Sequence, residues 1–303
     1  LNPVEDVRKD RNYLINYYRM EEMMATREWI STSSNAWDTA ANWSGTAVPV
    51  DGDDVFITSG SVNIDGFDAS ATELTSLTVG SQYTGTIGSS GTKLELDATT
   101  FNFSGNGDTY IEGIYTTLTV QDTSTSETAL NLSGSTITTL RVLGGRGTVT
   151  VAADSTISTA IELIGADGVT LNIADNATIG GSCTLIADSG RLELNQAVPT
   201  ITIYGGVADI QLDSGTVTTL NQYGGRIRWI PTAACTITTL NLYAGLFDSR
   251  DSVSPVFTIT NSTVHEDGVI DERSGLENAT WTNPINIEGG EIRYDTGRSV
   301  TIS

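Results

Sequence analysis

From about Val48 to the end of the chain, apolar and polar residues alternate in runs of three to six, and Gly, Asn or Asp breaks each run. Such alternation predicts short β-strands with one buried face, joined by tight turns. Val55-Phe56-Ile57, Val62-Asn63-Ile64, Leu74 to Val79, Lys93 to Leu96, Phe101-Asn102-Phe103 and Leu118-Thr119-Val120 read this way. From Thr136 the pattern also repeats over a longer distance. Versions of the phrase Thr-Ile-Thr-Thr-Leu start at Thr136, Thr156, Thr178, Thr200, Thr216, Thr236, Thr258 and Thr280, with steps of 20, 22, 22, 16, 20, 22 and 22 residues. A period of that size marks a solenoid, in which each unit buries its apolar face only by stacking on its neighbours.

Stacking predicts which residues form ladders. Ile137, Ile157, Ile179, Ile201, Val217, Ile237 and Ile259 fall at one position of the phrase and predict a buried aliphatic ladder ending at Trp281, with the flanking threonines outward. A second strand follows a glycine corner in each unit, as at Thr148 to Val151 and Arg226 to Trp229. Recurrence of one phrase in register favours parallel coils over antiparallel hairpins. The short step between Thr200 and Thr216 predicts a trimmed corner there.

Residues 1–30 have no such alternation. Asn2-Pro3-Val4-Glu5 combines an N-cap residue, a proline at the first helical position and an early carboxylate, which predicts a helix from about Pro3 to Glu28. The three methionines, Met20, Met23 and Met24, lie here beside tyrosines. Two roles fit such an arm: a cover over the open end of the solenoid, or an adaptable docking element for a partner. The candidate docking residues are Leu14, Tyr17, Tyr18, Met20, Met23, Met24 and Trp29, with Trp37 and Trp43 in the connector that follows. The expected organisation is a helical arm over 1–30, a connector over 31–47 and a solenoid over 48–303.

The connector leads into Pro49-Val50-Asp51-Gly52-Asp53-Asp54-Val55. A tryptophan-containing segment followed by a Pro-x-x-Gly-Asp-x-Val turn resembles the start of β-solenoids in bacterial surface proteins and phage structural proteins. The body from residue 48 onward is similar to the right-handed parallel β-helix of the pectin-lyase-like class. That resemblance implies an all-β, right-handed parallel β-helix of about eleven coils of roughly 20–22 residues carrying the N-terminal α-helical arm.

Composition adds constraints. The net charge is -22, and beyond residue 30 ten Lys or Arg face 31 Asp or Glu. This surface repels nucleic acid phosphates and anionic lipid, so neither nucleic acid nor membrane is an expected partner. No apolar run approaches the roughly 18 residues of a spanning helix, and residues 1–30 do not read as a signal peptide. Cys183 and Cys235 occupy different positions of their units, which predicts buried free thiols.

Candidate chemistry is sparse. A polygalacturonase-like hydrolase would need paired carboxylates, a histidine and an Arg-x-Lys element. Asp53-Asp54 and Arg226-Ile227-Arg228 are fragments of that set in distant coils, and Asp209, Asp213, Asp248 and Asp251 share no offset of the phrase. Asp51, Asp53 and Asp54 read as a turn rather than a metal site, since the glycine and distal glutamate of a calcium loop are missing. His265 is the single histidine. Gly144-Gly145 and Gly224-Gly225 read as corners. No catalytic residue, metal or cofactor is expected. Tyr204, Tyr223 and Tyr243 fall beside the corner of three successive units with Trp229 nearby; they fit either a buried aromatic stack or an exposed row meeting glycans or a neighbouring subunit.

The expectation that emerges is a non-enzymatic structural homo-oligomer, a trimer, located in a phage virion as a capsid decoration, head fibre or tail-spike-like body and bound to other virion proteins such as the major capsid protein. The alternatives are a secreted or cell-surface adhesin for glycans and an acidic-polysaccharide lyase or hydrolase.

Overall fold

A computed structural model describes residues 25–294 apart from 122–127, 145, 153, 166–167, 182, 189, 196–197, 251–256 and 274–278. Within these residues the chain is a parallel β-solenoid of about ten turns with almost no helix. Strands from successive coils pair in parallel and in register.

Two inward columns run nearly the whole length. One comprises Val55, Leu77, Phe101, Leu118, Leu140, Ile161, Leu185, Ile201, Leu220 and Leu240, each paired with the next. The other starts at Ile57 and runs through Val79, Phe103, Val120, Val142, Leu163, Ala187 and Ile203 to Gln222, Leu242, Val264 and Ile287. Almost all of these side chains are fully buried. Burial of apolar surface between stacked coils is therefore the main stabilising term, at about 25 cal/mol per Å². The second strand run adds its own columns, such as Val149, Leu171, Leu192, Ile210 and Trp229.

The register corrects the aliphatic ladder at one place. Ile137, Ile157 and Ile179 stack, as do Val217, Ile237, Ile259 and Trp281. Ile201 instead stacks between Leu185 and Leu220, in the neighbouring column. The phrase at Thr200 aligns with Thr219 and Thr184 rather than with Thr216, so the short coil lies between Thr184 and Thr200. Val198, three residues before Ile201 as Val217 is before Leu220, is fully buried there. Likewise Val62 to Ile64 is not a strand; only Ile64 makes a single bridge, to Ile87.

At the N-terminal end the helix expected up to Glu28 is corrected in part. Thr26–Glu28 is a strand paired with Asp54, Val55 and Phe56. Arg27 stands below Val55 and Trp29 follows it, hydrogen-bonded by its N–H to the Phe56 carbonyl at 2.8 Å. An arginine at an inward position hid the alternation from the sequence pattern. Solenoid pairing thus begins before residue 30. The rest of the expected arm, with Leu14, Tyr17, Tyr18, Met20, Met23 and Met24, lies outside the described residues.

Asp53 organises this end. Its buried carboxylate accepts the Ala25 N–H at 3.0 Å, the Val50 N–H at 3.1 Å and the Arg27 Nε–H at 3.1 Å. Removing it leaves Arg27 and two backbone donors uncompensated. We expect Asp53→Ala to destabilise the folded chain by about 3–5 kcal/mol, read as a fall in the urea midpoint, whereas Asn221→Ala on the outer face shifts it by under about 1 kcal/mol; equal effects would contradict the assignment of Asp53 as the first coil's anchor.

Candidate functional site

The tryptophans proposed for docking are structural. Trp29, Trp37 and Trp43 are 3%, 2% and 0% exposed. Trp43 meets Trp29 and Trp37 edge to face, with ring centres 5.1 and 4.6 Å apart, and its Nε1–H donates to the Trp37 carbonyl at 2.7 Å. Asn42 Nδ2 ties the segment to the Ala36 carbonyl at 2.7 Å. The connector therefore folds back and packs its rings beneath the first coil, so none of the three is presented to a partner. That cluster fills a covering role of the kind the sequence suggested for the arm.

The acidic turn does not converge. Asp53 is spent as described, Asp51 accepts the Glu73 N–H at 3.0 Å and Asp54 accepts the Ser76 hydroxyl at 2.5 Å. Among the described residues no three His, Cys, Asp or Glu side chains gather as a metal set. Cys183 and Cys235 are free and buried, and desolvation pushes their thiols up to about 11 and about 12.

The tyrosines are outward. Tyr204, Tyr223 and Tyr243 are 57%, 45% and 38% exposed and stack face to face, with ring centres 5.3 and 4.6 Å apart and planes within 16°. His265 continues the row, 4.5 Å from Tyr243 and nearly parallel to it, and its Nδ1 lies 3.0 Å from Glu288. The row forms because each tyrosine follows an inward residue, Ile203, Gln222 or Leu242, and coil stacking brings the rings within the roughly 4.5–7 Å between centres at which stacked aromatic pairs attract. The chain then turns sharply. Gly225 and Gly245 have φ of 68° and 90°, and a Cβ on either would come within 2.4 Å of the backbone of the coil below. Trp229 belongs elsewhere: it is fully buried between Phe247 and Phe257, so it is no surface contact.

Two features escaped the sequence reading. Gln222 interrupts an aliphatic column and is fully buried; its Nε2 donates to the carbonyls of Gly224, Gly225 and Leu246 at 3.1–3.3 Å, holding the corner. The signal was a polar residue where neighbouring units carry Ile203 and Leu242. The other feature is a charge ladder. Asp209, Arg228, Asp248, Asp271 and Arg293 stack in one column. Contrary to the offset argument, Asp209 and Asp248 do share it. Arg250, Arg273 and Arg293 each clasp, with two nitrogens, the carboxylate two residues earlier: Asp248, Asp271 and Glu291. The recurring Asp-x-Arg was its signal.

This ladder occupies the arginines that had suggested catalysis. Arg226 reaches up a coil to Asp248, with Nε at 3.1 Å, and Arg228 holds Asp209 at 2.8 Å. The carboxylates of Asp248 and Asp271 are almost wholly buried one coil apart, an arrangement that like charges tolerate only with cations beside them. Arg250 sits near both, 3.7 Å from Asp271. Burial pushes the Asp248 carboxyl up, but hydrogen bonds from Arg250 and Arg226 outweigh it and hold it well below the ordinary 3.8. The Arg273 side chain, against the opposing effect of burial, holds Asp271 down as well.

Comparison with protein-family models, curated proteins and solved structures finds no match to the chain.

Both carboxyls are depressed in the fold, so their stabilisation is present above the unfolded value near pH 4 and is lost as pH falls toward the folded one. We expect the urea midpoint to fall steeply below about pH 4. Asp248→Asn should be less stable at pH 7 and show a shallower acid limb; an acid limb identical to that of the wild type would contradict the ladder's electrostatic role.

Proposed function

We propose that the chain is a non-enzymatic structural protein, a homotrimeric virion component that decorates or projects from a phage particle, anchored through its N-terminal segment and bound to other virion proteins such as the major capsid protein. Its coiling is right-handed, as parallel crossovers almost always are. The observation that carries the reading is that the side chains singled out for chemistry are held by their neighbours in the stack. Arg226 and Arg228 are held by Asp248 and Asp209, Asp53 holds the first coil, and the tyrosines pack on one another. What remains is a stiff, acidic rod, suited to spacing and display. The phage setting draws on the resemblance of the Trp37 to Val55 segment to phage and bacterial-surface solenoids, which is an argument from architecture rather than chemistry.

A second reading, a glycan-binding adhesin, draws on the exposed tyrosine hydroxyls. It is weakened because sugars stack on ring faces and the inner faces of the row are already covered.

An antibody to the chain separates these readings when used on density-gradient fractions of the culture that makes it. We expect the chain to band with particles and to label them at regular positions in electron micrographs. Its presence only in the envelope or secreted fraction, with unlabelled particles, would overturn the virion assignment.

A further inference from the structure

Four of the nine exposed large apolar side chains among the described residues, Ile164, Tyr204, Tyr223 and Tyr243, stand beside one corner of the solenoid. Register makes them part of a single row. Leu143 stacks on Ile164, Asp188 follows through its N–H to the Leu163 carbonyl, and Tyr204, Tyr223 and Tyr243 continue. Between Leu143 and Tyr243 the row contains one carboxylate, Asp188, and that group accepts the Gly165 N–H at 2.8 Å; Glu288 follows only beyond His265. On a chain of net charge -22 this is a line of low repulsion.

We infer that this row is a self-association surface along which a second copy of the chain lies with its axis parallel to the first; the inference rests on reading the chain as a self-assembling structural protein. Three observations select a second copy. The inner ring faces are occupied by neighbouring rings, so edges and hydroxyls remain, which suit edge-to-face and hydrogen-bonded contact with another protein better than sugar stacking. Secondly, the rungs recur at the coil spacing. Another chain with the same spacing meets them rung for rung over roughly 24 Å, while a non-repeating partner matches only one or two. Charge supplies the third argument: two strongly acidic rods repel least where they touch along a line that carries little charge, here Asp188 alone between Leu143 and Tyr243, and a cationic partner would be drawn to the acidic coils instead. Parallel alignment sets the aliphatic half of one row against that of the other, and tyrosine against tyrosine. An antiparallel pair would set Ile164 near Glu288.

The test is light scattering on the full 303-residue chain after size-exclusion chromatography across a concentration range, with circular dichroism to confirm folding. We expect the wild type to assemble, Tyr204→Asp/Tyr243→Asp to assemble at least tenfold more weakly, and Tyr223→Phe to behave as wild type. Tyr204→Cys should oxidise to a covalent dimer, because parallel packing places that position beside its own copy. The buried Cys183 and Cys235 give little background. If the folded Asp double variant assembles like the wild type, or if oxidised Tyr204→Cys stays monomeric, the row is not the contact. The first of those results leaves self-assembly standing through another surface. A monomeric wild type retained on immobilised glycans, with retention lost in the double variant, would also overturn the inference and assign the row to sugars. The virion reading is decided separately by particle fractionation.

Discussion

Parallel pairing places each paired residue of the described strands about 4.8 Å above its counterpart in the coil below, with the register shifting only at bulges such as that between Leu242 and Ala244. That spacing is the constraint on which the rest depends. It is close to the width of a packed aliphatic side chain, so like residues in one column meet in van der Waals contact. Leu220 on Ile201 and Leu240 on Leu220 satisfy it inside, and Tyr223 on Tyr204 satisfies it outside. Charge does not satisfy it alone. Asp248 over Asp271 would be repulsive, and the arginines at Arg226, Arg250 and Arg273 are the compensation.

The same constraint makes the ends special. An inner coil is covered above and below, but the first coil is not. Here the chain places Trp29 below Ile57 and folds Trp37 and Trp43 against it, while Arg27 meets the buried Asp53. At the other end Trp281, Ile287 and Ile292 are only partly buried. Capping by dissimilar residues is what a solenoid requires for solubility.

What the sequence revealed follows from this physics. The parallel coils and most of the aliphatic ladder were legible because identical residues recur at one phrase position. The outward direction of Tyr204, Tyr223 and Tyr243 was also present in the alternation, since each follows an inward residue, but treating them as corner residues left it open. The error at Ile201 and the missed Asp209 to Asp271 column share one cause: coil lengths vary, so counting from the phrase loses register where strand pairing keeps it. Arg27 and Gln222 were missed because each is polar at an inward position, where only a specific partner makes it tolerable. The function was legible least, because a repeated scaffold spreads its residues over structure rather than gathering them at one place.

Disulfide trapping tests the central claim of in-register stacking. Asn221 and Asn241 are paired in adjacent coils on the outer face, and their Nδ2 to Oδ1 contact is 2.9 Å. Their backbones lie within the roughly 4.4–6.8 Å that a disulfide spans, whereas Thr202 and Asn241, two coils apart, do not. The account predicts that Asn221→Cys/Asn241→Cys oxidises within one chain and that Thr202→Cys/Asn241→Cys does not. Cross-linking of the second pair in place of the first would contradict the register on which the whole account stands.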